Sequence, residues 1–304
     1  MSSNLTASAK LNQRRDINTP SVTQKIHRLD QHDHSRDSVG MTYVYPVISR
    51  RAGGVSIGIN LNPNNACNWQ CVYCQVPNLV RGGPPPIDLG RLERELSVFL
   101  NDVIYGDFMQ LRVDPDMRRL VDVAFSGNGE PTSAPEFPEA VTVAQTVLER
   151  FNLRGETLLR LITNGSLLDR PRVQSGIAQL GSAPGEVWFK VDAATAKDLV
   201  QINGTRTSPD RVARRLKQCI EIAPTWVQTC VFLRDGKFAA ADGWEEYLRL
   251  LVDAGSRLRG VHLYSLARQS MQEESSRLGQ LDLMQMESLA TQIRQLGLTV
   301  TVNP

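Results

Sequence analysis

Val55-Ser56-Ile57-Gly58-Ile59-Asn60-Leu61 alternates without a break. Successive side chains of a strand point to opposite faces, so Val55, Ile57, Ile59 and Leu61 share one face and Ser56, Gly58 and Asn60 the other. The pattern recurs along the chain. Val121–Ser126 separates Val121, Val123 and Phe125 from Asp122, Ala124 and Ser126. Val187–Asp192 separates Val187, Phe189 and Val191 from Trp188, Lys190 and Asp192, and Gly260–Leu266 separates Val261 and Leu263 from His262 and Tyr264. Leu158–Thr163 and Trp226–Leu233 complete six strand candidates.

Helical stretches lie between these runs. Asp88 is placed to cap a helix on which Leu89, Leu92, Leu96, Phe99 and Val103 repeat at helical spacing. Pro209 opens another, with Val212, Leu216, Cys219 and Ile220 on one face. Similar stretches follow Glu136, Asp169, Asp242 and Gln285. Strand–helix alternation predicts an α/β fold with a parallel sheet and crossover helices, and six units make a partial (β/α)6 barrel. Leu298–Val302 is expected to add an edge strand.

Buried parallel strands usually read as continuous apolar runs. Here each strand has a greasy side and a polar or small side. If helices cover the greasy side, the polar side lines the barrel interior, which is costly when dry and unpaired. It makes sense around water and a polar ligand. A sheet with one solvated face gives the same alternation, but helical crossovers favour the cavity.

The chain has 304 residues, 41% hydrophobic and 22% charged, with a net charge of +2. That is the composition of a soluble enzyme and gives no electrostatic case for a nucleic-acid surface. No apolar run is long enough to span a bilayer, and the polar amino terminus has no apolar signal region. Residues 1–40 read as a flexible tail and 41–304 as the barrel domain with a carboxy-terminal extension. His32 and His34 in the tail lack further ligand types nearby. Five cysteines, three of them within eight residues, suit a metal site in a reducing compartment, so a cytoplasmic location is expected.

Those three are Cys67, Cys71 and Cys74, in Ala66-Cys67-Asn68-Trp69-Gln70-Cys71-Val72-Tyr73-Cys74-Gln75. Thiolates favour zinc or iron–sulfur centres. Three of them can hold three irons of a cubane and leave the fourth open to a chelating ligand. Closed zinc sites want four protein ligands. Cys219, on an apolar helix face, and Cys230, within a strand, read as small core residues. A histidine as fourth ligand keeps zinc open.

Two further motifs fall at strand ends. Ser126-Gly127-Asn128-Gly129-Glu130-Pro131-Thr132 follows the second strand, and Thr163-Asn164-Gly165 closes the third. Both have ordinary turn chemistry. Lys190 and Asp192 share a face near the end of the fourth strand. The cysteine loop follows the first. All therefore gather at the carboxyl edge of one parallel sheet, where β/α folds assemble their sites.

C-x3-C-x2-C, with Tyr73 before the last cysteine, resembles the cluster loop of the radical S-adenosylmethionine (SAM) superfamily. The resemblance implies a 4Fe–4S cluster on Cys67, Cys71 and Cys74 whose open iron is chelated by S-adenosyl-L-methionine. It also implies reductive cleavage to methionine and a 5′-deoxyadenosyl radical that abstracts hydrogen from a substrate. The segment Gly129-Glu130-Pro131 is similar to the element that contacts the methionyl ammonium, with Asn128 where glycine is common. Asn164, Lys190 and Asp192 would contact the ribose or the methionyl carboxylate.

Tyr45-Pro46, Ser49-Arg50-Arg51, Ser56–Ile59, Pro63 and the loop to Gln75 resemble a poorly characterised group of Fe–S oxidoreductases related to wyosine-forming tRNA enzymes. Arg50 and Arg51 could hold a phosphate or carboxylate. RNA modification of that type is the sharper alternative. Those enzymes hold a second cluster on cysteines ahead of the loop, and no cysteine precedes Cys67 here. An enzyme installing a glycyl radical on a partner protein, or a non-catalytic metal-binding interaction module, are further alternatives. The resemblance implies ferredoxin or flavodoxin as reductant; the substrate is not legible.

Overall fold

The structure is a computed structural model that describes residues 28–29, 39–49, 53–182 and 184–304. His32, His34, Arg50, Arg51 and most of the stretch expected as a tail lie outside the described residues. Within that stretch Leu29 is buried, and its N–H donates to the Arg112 carbonyl at 2.8 Å.

One eight-stranded sheet organises the chain: β1 (Val44–Ser49), β2 (Gly54–Ile59), β3 (Leu120–Phe125), β4 (Leu158–Thr163), β5 (Gly185–Lys190), β6 (Thr225–Cys230), β7 (Val261–Tyr264) and β8 (Val300–Asn303). The strands lie side by side in chain order. β1 runs antiparallel to β2, and every other neighbouring pair is parallel. The sheet is an open partial barrel. Its curl shows in one cavity that touches Tyr45 and Val47 on the first strand and Asn303 on the last.

The six expected strands are present, within two residues at their starts. β8 is the expected edge strand, and β1 is an addition. Pro46 has no N–H to give a ladder and is tolerated there because β1 lies at the sheet edge. The run Trp226–Leu233 divides. Its first part is β6, and Phe232–Arg234 joins Lys237–Phe238 and Leu278–Gln280 in a small antiparallel sheet. Asp235 and Gly236, both with positive φ, form the two-residue turn between its first two strands.

The main helices are α1 (Leu89–Tyr105), α2 (Phe137–Arg150), α3 (Pro171–Gly181), α4 (Ala196–Asn203), α5 (Pro209–Ile222), α6 (Trp244–Ala254) and α7 (Leu283–Arg294); all but α4 were expected from the pattern. Asp88 caps α1 by accepting from Arg91 N. α1 buries Leu92, Leu96, Phe99, Leu100 and Val103, and each such side chain contributes about 2 kcal/mol. Against the helices lie the greasy strand faces: Val55, Ile57, Ile59, Val123, Phe125, Leu161, Val187 and Val227 have no accessible surface to one per cent.

The other faces point inward. Toward the amino ends of the strands, Arg160 bonds the Asp122 carboxylate and, through Nε, Glu186 Oε1 at 3.0 Å. Its guanidinium lies 4.0 Å from the centre of the Trp188 ring. Glu186 also accepts from the indole N–H of Trp188 (2.7 Å) and of Trp226 (3.1 Å). His262 stacks on Trp226 at 4.4 Å. This polar, aromatic layer floors the interior, and each buried charge in it has a partner. Above it the barrel opens toward the carboxyl ends of the strands.

Candidate functional site

The cysteine loop leaves β2, crosses the top of the barrel and is tied down on three sides. The first tie is the 126–132 turn after β3. Gly129 passes so close that a Cβ there would sit 2.1 Å from the Ala66 carbonyl oxygen. Only glycine permits that approach. Asn62 donates to the same carbonyl at 3.0 Å, and Asn128 donates to Asn65 Oδ1 at 2.6 Å.

α4 supplies the second tie. Gln70 N donates to Asn203 O at 3.1 Å and Val72 N to Ile202 O at 2.9 Å. Gly204 ends α4 in the left-handed region at φ 59°. Outside, Arg81 donates to Asn68 O, Gln70 Oε1 and Gly204 O.

The third is the strap after β7. Met271 N (2.9 Å), Ser270 Oγ (3.2 Å) and Gln272 Nε2 (3.1 Å) all donate to the Cys74 carbonyl.

With the loop so held, Cys67, Cys71 and Cys74 line one cavity of about 370 Å³ at the carboxyl edge of the sheet. Tyr73, Gly129, Glu130, Asn164 and Lys190 border the same space. Pro131 and Asp192 do not line it. Pro131 starts the short turn that places Thr132, and Asp192 sits beneath the cysteine loop. Cys230, expected in the core, is buried and also reaches the cavity wall. Cys219 is buried in α5.

Glu130 is 2% exposed. Its Oε1 accepts from Thr132 Oγ1 and Thr163 Oγ1, both at 2.6 Å, and Oε2 accepts from Asn164 N at 2.6 Å. One carboxylate thus staples the ends of β3 and β4 together. Burial still pushes its pKa above the usual range, and Oε2 keeps capacity for a further donor. Asn164 Nδ2 donates to Asn68 Oδ1 at 2.9 Å, linking the β4 end to the cysteine loop.

Asp192, buried to 3%, receives the Tyr73 hydroxyl and, at 2.8 Å, Asn203 Nδ2 on Oδ2. Cys230 N donates to its Oδ1 at 2.9 Å. Lys190 Nζ donates to the Tyr264 hydroxyl at 3.0 Å and stands 3.9 Å from Asp192 Oδ2. Burial opposes the ammonium, but Asp192, Tyr264 and Cys71 outweigh it and hold Lys190 charged. Burial pushes the Cys67 thiol up to about 11 and Cys71 to about 12, so a metal must displace protons to bind them.

A cubane takes thiolates spread around its own bulk and needs open space at its fourth iron. Cys67, Cys71 and Cys74 bordering one cavity match that donor set.

Two solved structures share this architecture. TYW1 with a lysine–pyruvate adduct bound superposes with a TM-score of 0.55 at 16% identity, over 80% of this chain and 74% of that one. A radical SAM methyltransferase from Sphaerobacter thermophilus gives 0.57 at 14% identity, over 85% and 68%. The fold is that of radical SAM enzymes.

No family model matches the sequence. The radical SAM fold is joined by two sequence similarities. The UPF0026 protein MJ1312 of Methanocaldococcus jannaschii is 30% identical over 159 residues, 52% of this chain and 42% of that protein. The GTPase Obg of Brachyspira hyodysenteriae is 26% identical over 169 residues, 55% of this chain and 22% of that protein. The match thus spans less than half of either protein. No Gly-x4-Gly-Lys-Ser/Thr phosphate loop occurs in the present sequence. No helix among the described residues is long and apolar enough to cross a membrane.

The residues that sequence reading missed are those tying the loop: Asn203, Arg81, Ser270 and Gln272. Asn203-Gly204 has the composition of a helix end. Arg81 lies in a two-residue strand paired with Ala66–Cys67, Ser270 and Gln272 lie in a loop, and none of the three carries a pattern.

Proposed function

We propose that this chain is a radical SAM enzyme. Cys67, Cys71 and Cys74 hold a 4Fe–4S cluster, and S-adenosylmethionine occupies the cavity above the Arg160 floor. One observation carries the reading: the three thiols, the Gly129-Glu130 turn and Asn164 converge on a single cavity from three separate strand ends. Cluster and SAM together supply one-electron cleavage of the sulfonium and removal of hydrogen from a substrate.

The protein's own part is placement. The spare capacity of Glu130 Oε2 receives the methionyl ammonium, whose charge offsets the burial of the carboxylate. Asn164 orients the ribose side. Lys190, held charged, faces the methionyl carboxylate. Tyr73 and Asp192 act through the cysteine loop, because their hydroxyl and carboxylate are committed to each other. The superfamily resemblance points to a ferredoxin or flavodoxin as the electron donor.

The test is product formation. Protein reconstituted with iron and sulfide under anaerobic conditions, given dithionite and SAM, should release 5′-deoxyadenosine and methionine. Cys71→Ala should abolish both. Undiminished release from the variant would refute the ligand assignment.

A further inference from the structure

Asn203 is the last residue of α4 and has no accessible surface. Its side-chain nitrogen lies 2.8 Å from Asp192 Oδ2 and 3.3 Å from Cys71 Sγ. The first contact fixes the amide, because a carboxylate accepts and cannot donate when ionised. Nδ2 must therefore be the atom between them. It carries two hydrogens. One goes to Asp192, and the other is directed at the sulfur.

The direction is held firmly. Asp192 Oδ1 is anchored by Cys230 N, and Asn203 O accepts from Gln70 N in the cysteine loop itself. The amide and the sulfur are thus parts of one rigid body. Gln70 precedes Cys71 directly, so the same residue sets the loop's register and addresses its sulfur.

Resting on the cluster reading above, we propose that Asn203 is a positioning residue whose N–H···S hydrogen bond to Cys71 sets the reduction potential of the bound cluster. Hydrogen bonds to ligating sulfur stabilise the reduced form, which carries more negative charge on sulfur, and so raise the potential. The residue adds no ligand and touches no substrate. It determines how readily the cluster accepts the electron that is later passed to SAM.

The experiment compares reconstituted wild type with Asn203→Ala and Asn203→Ser, following reduction by electron paramagnetic resonance against redox mediators. Both variants should bind iron as wild type does and have more negative midpoints, with the reduced-to-oxidised ratio at a fixed potential falling at least threefold. An unchanged midpoint in a fully loaded variant overturns the proposal. Should the variants fail to fold, wild type grown with 15N-asparagine decides the matter. A 15N hyperfine coupling to the reduced cluster that persists in Asn68→Ser supports the bond, and its absence overturns it. If wild type itself takes up no iron, the cluster reading fails, and the proposal falls with it.

Discussion

At residue scale, the site depends on a few contacts that tolerate no change. Gly129 is the clearest. Any side chain there strikes the Ala66 carbonyl, so Gly129→Ala must push the turn and the cysteine loop apart. We expect stability to fall by about 1–3 kcal/mol in urea unfolding, with at least tenfold weaker SAM binding by calorimetry. Gly129 was legible as part of a motif. Its physical reason, a backbone approach from the neighbouring strand, was not, because sequence shows spacing and not proximity. The close spacing of Cys67, Cys71 and Cys74 stood out in the sequence, and the structure brings all three to one cavity. Asp192 was legible as important but not in its place: strand alternation put it on the cavity face, whereas β5 ends at Lys190 and releases it beneath the loop. Asp169 offers a pH test. Arg215 donates to it at 2.6 and 2.9 Å and holds its carboxyl below the usual range. A depressed folded pKa gives stability that is present above the unfolded value, about 3.9, and is lost as pH falls through the folded value. Because Asp169 is partly exposed, the contribution is about 1 kcal/mol. Asp169→Asn should lower stability at pH 7 and leave it unchanged near pH 2; an equal loss at both values contradicts the ion pair.

At element scale, caps and periodicity made most helices readable. α1 begins where Asp88 stops it from extending further, and Asp88→Ala should cost about 1 kcal/mol by chemical denaturation without altering iron content. α7 starts two residues before Gln285. The capping residue is Asp282, and Gln285 completes a capping box from the third position. α4 was missed because eight residues give a weak periodic signal. It nonetheless carries the main tie to the cysteine loop. Gly204→Val tests that tie. The new side chain would meet φ 59° and the Gln70 carbonyl, since even a Cβ lies 2.6 Å from that oxygen. The variant should lose cluster binding more than it loses helix content, read as iron per chain against far-ultraviolet circular dichroism.

At the scale of the whole molecule, alternation along single strands foretold a polar interior, and the structure has one. What sequence could not give was its division into a closed floor and an open top. Arg160, Asp122 and Glu186 lie far apart in the chain and meet only because β3, β4 and β5 are adjacent. Arg160→Ala leaves two carboxylates facing each other in a buried layer, so stability should fall by about 3–5 kcal/mol. If the loss is under about 1 kcal/mol, the floor is not the closed ion network described here. The three-part site rests on the same adjacency: motifs separated by tens of residues share a cavity because consecutive strands deliver their carboxyl ends to one edge. The most direct measurement is the metal content of protein loaded without oxygen, compared among wild type, Cys67→Ala, Cys71→Ala and Cys74→Ala. The proposed function predicts about four irons and four sulfides in wild type and loss of the cluster in each variant. Zinc retained with no iron uptake in wild type, or full iron in any of the three variants, would contradict it.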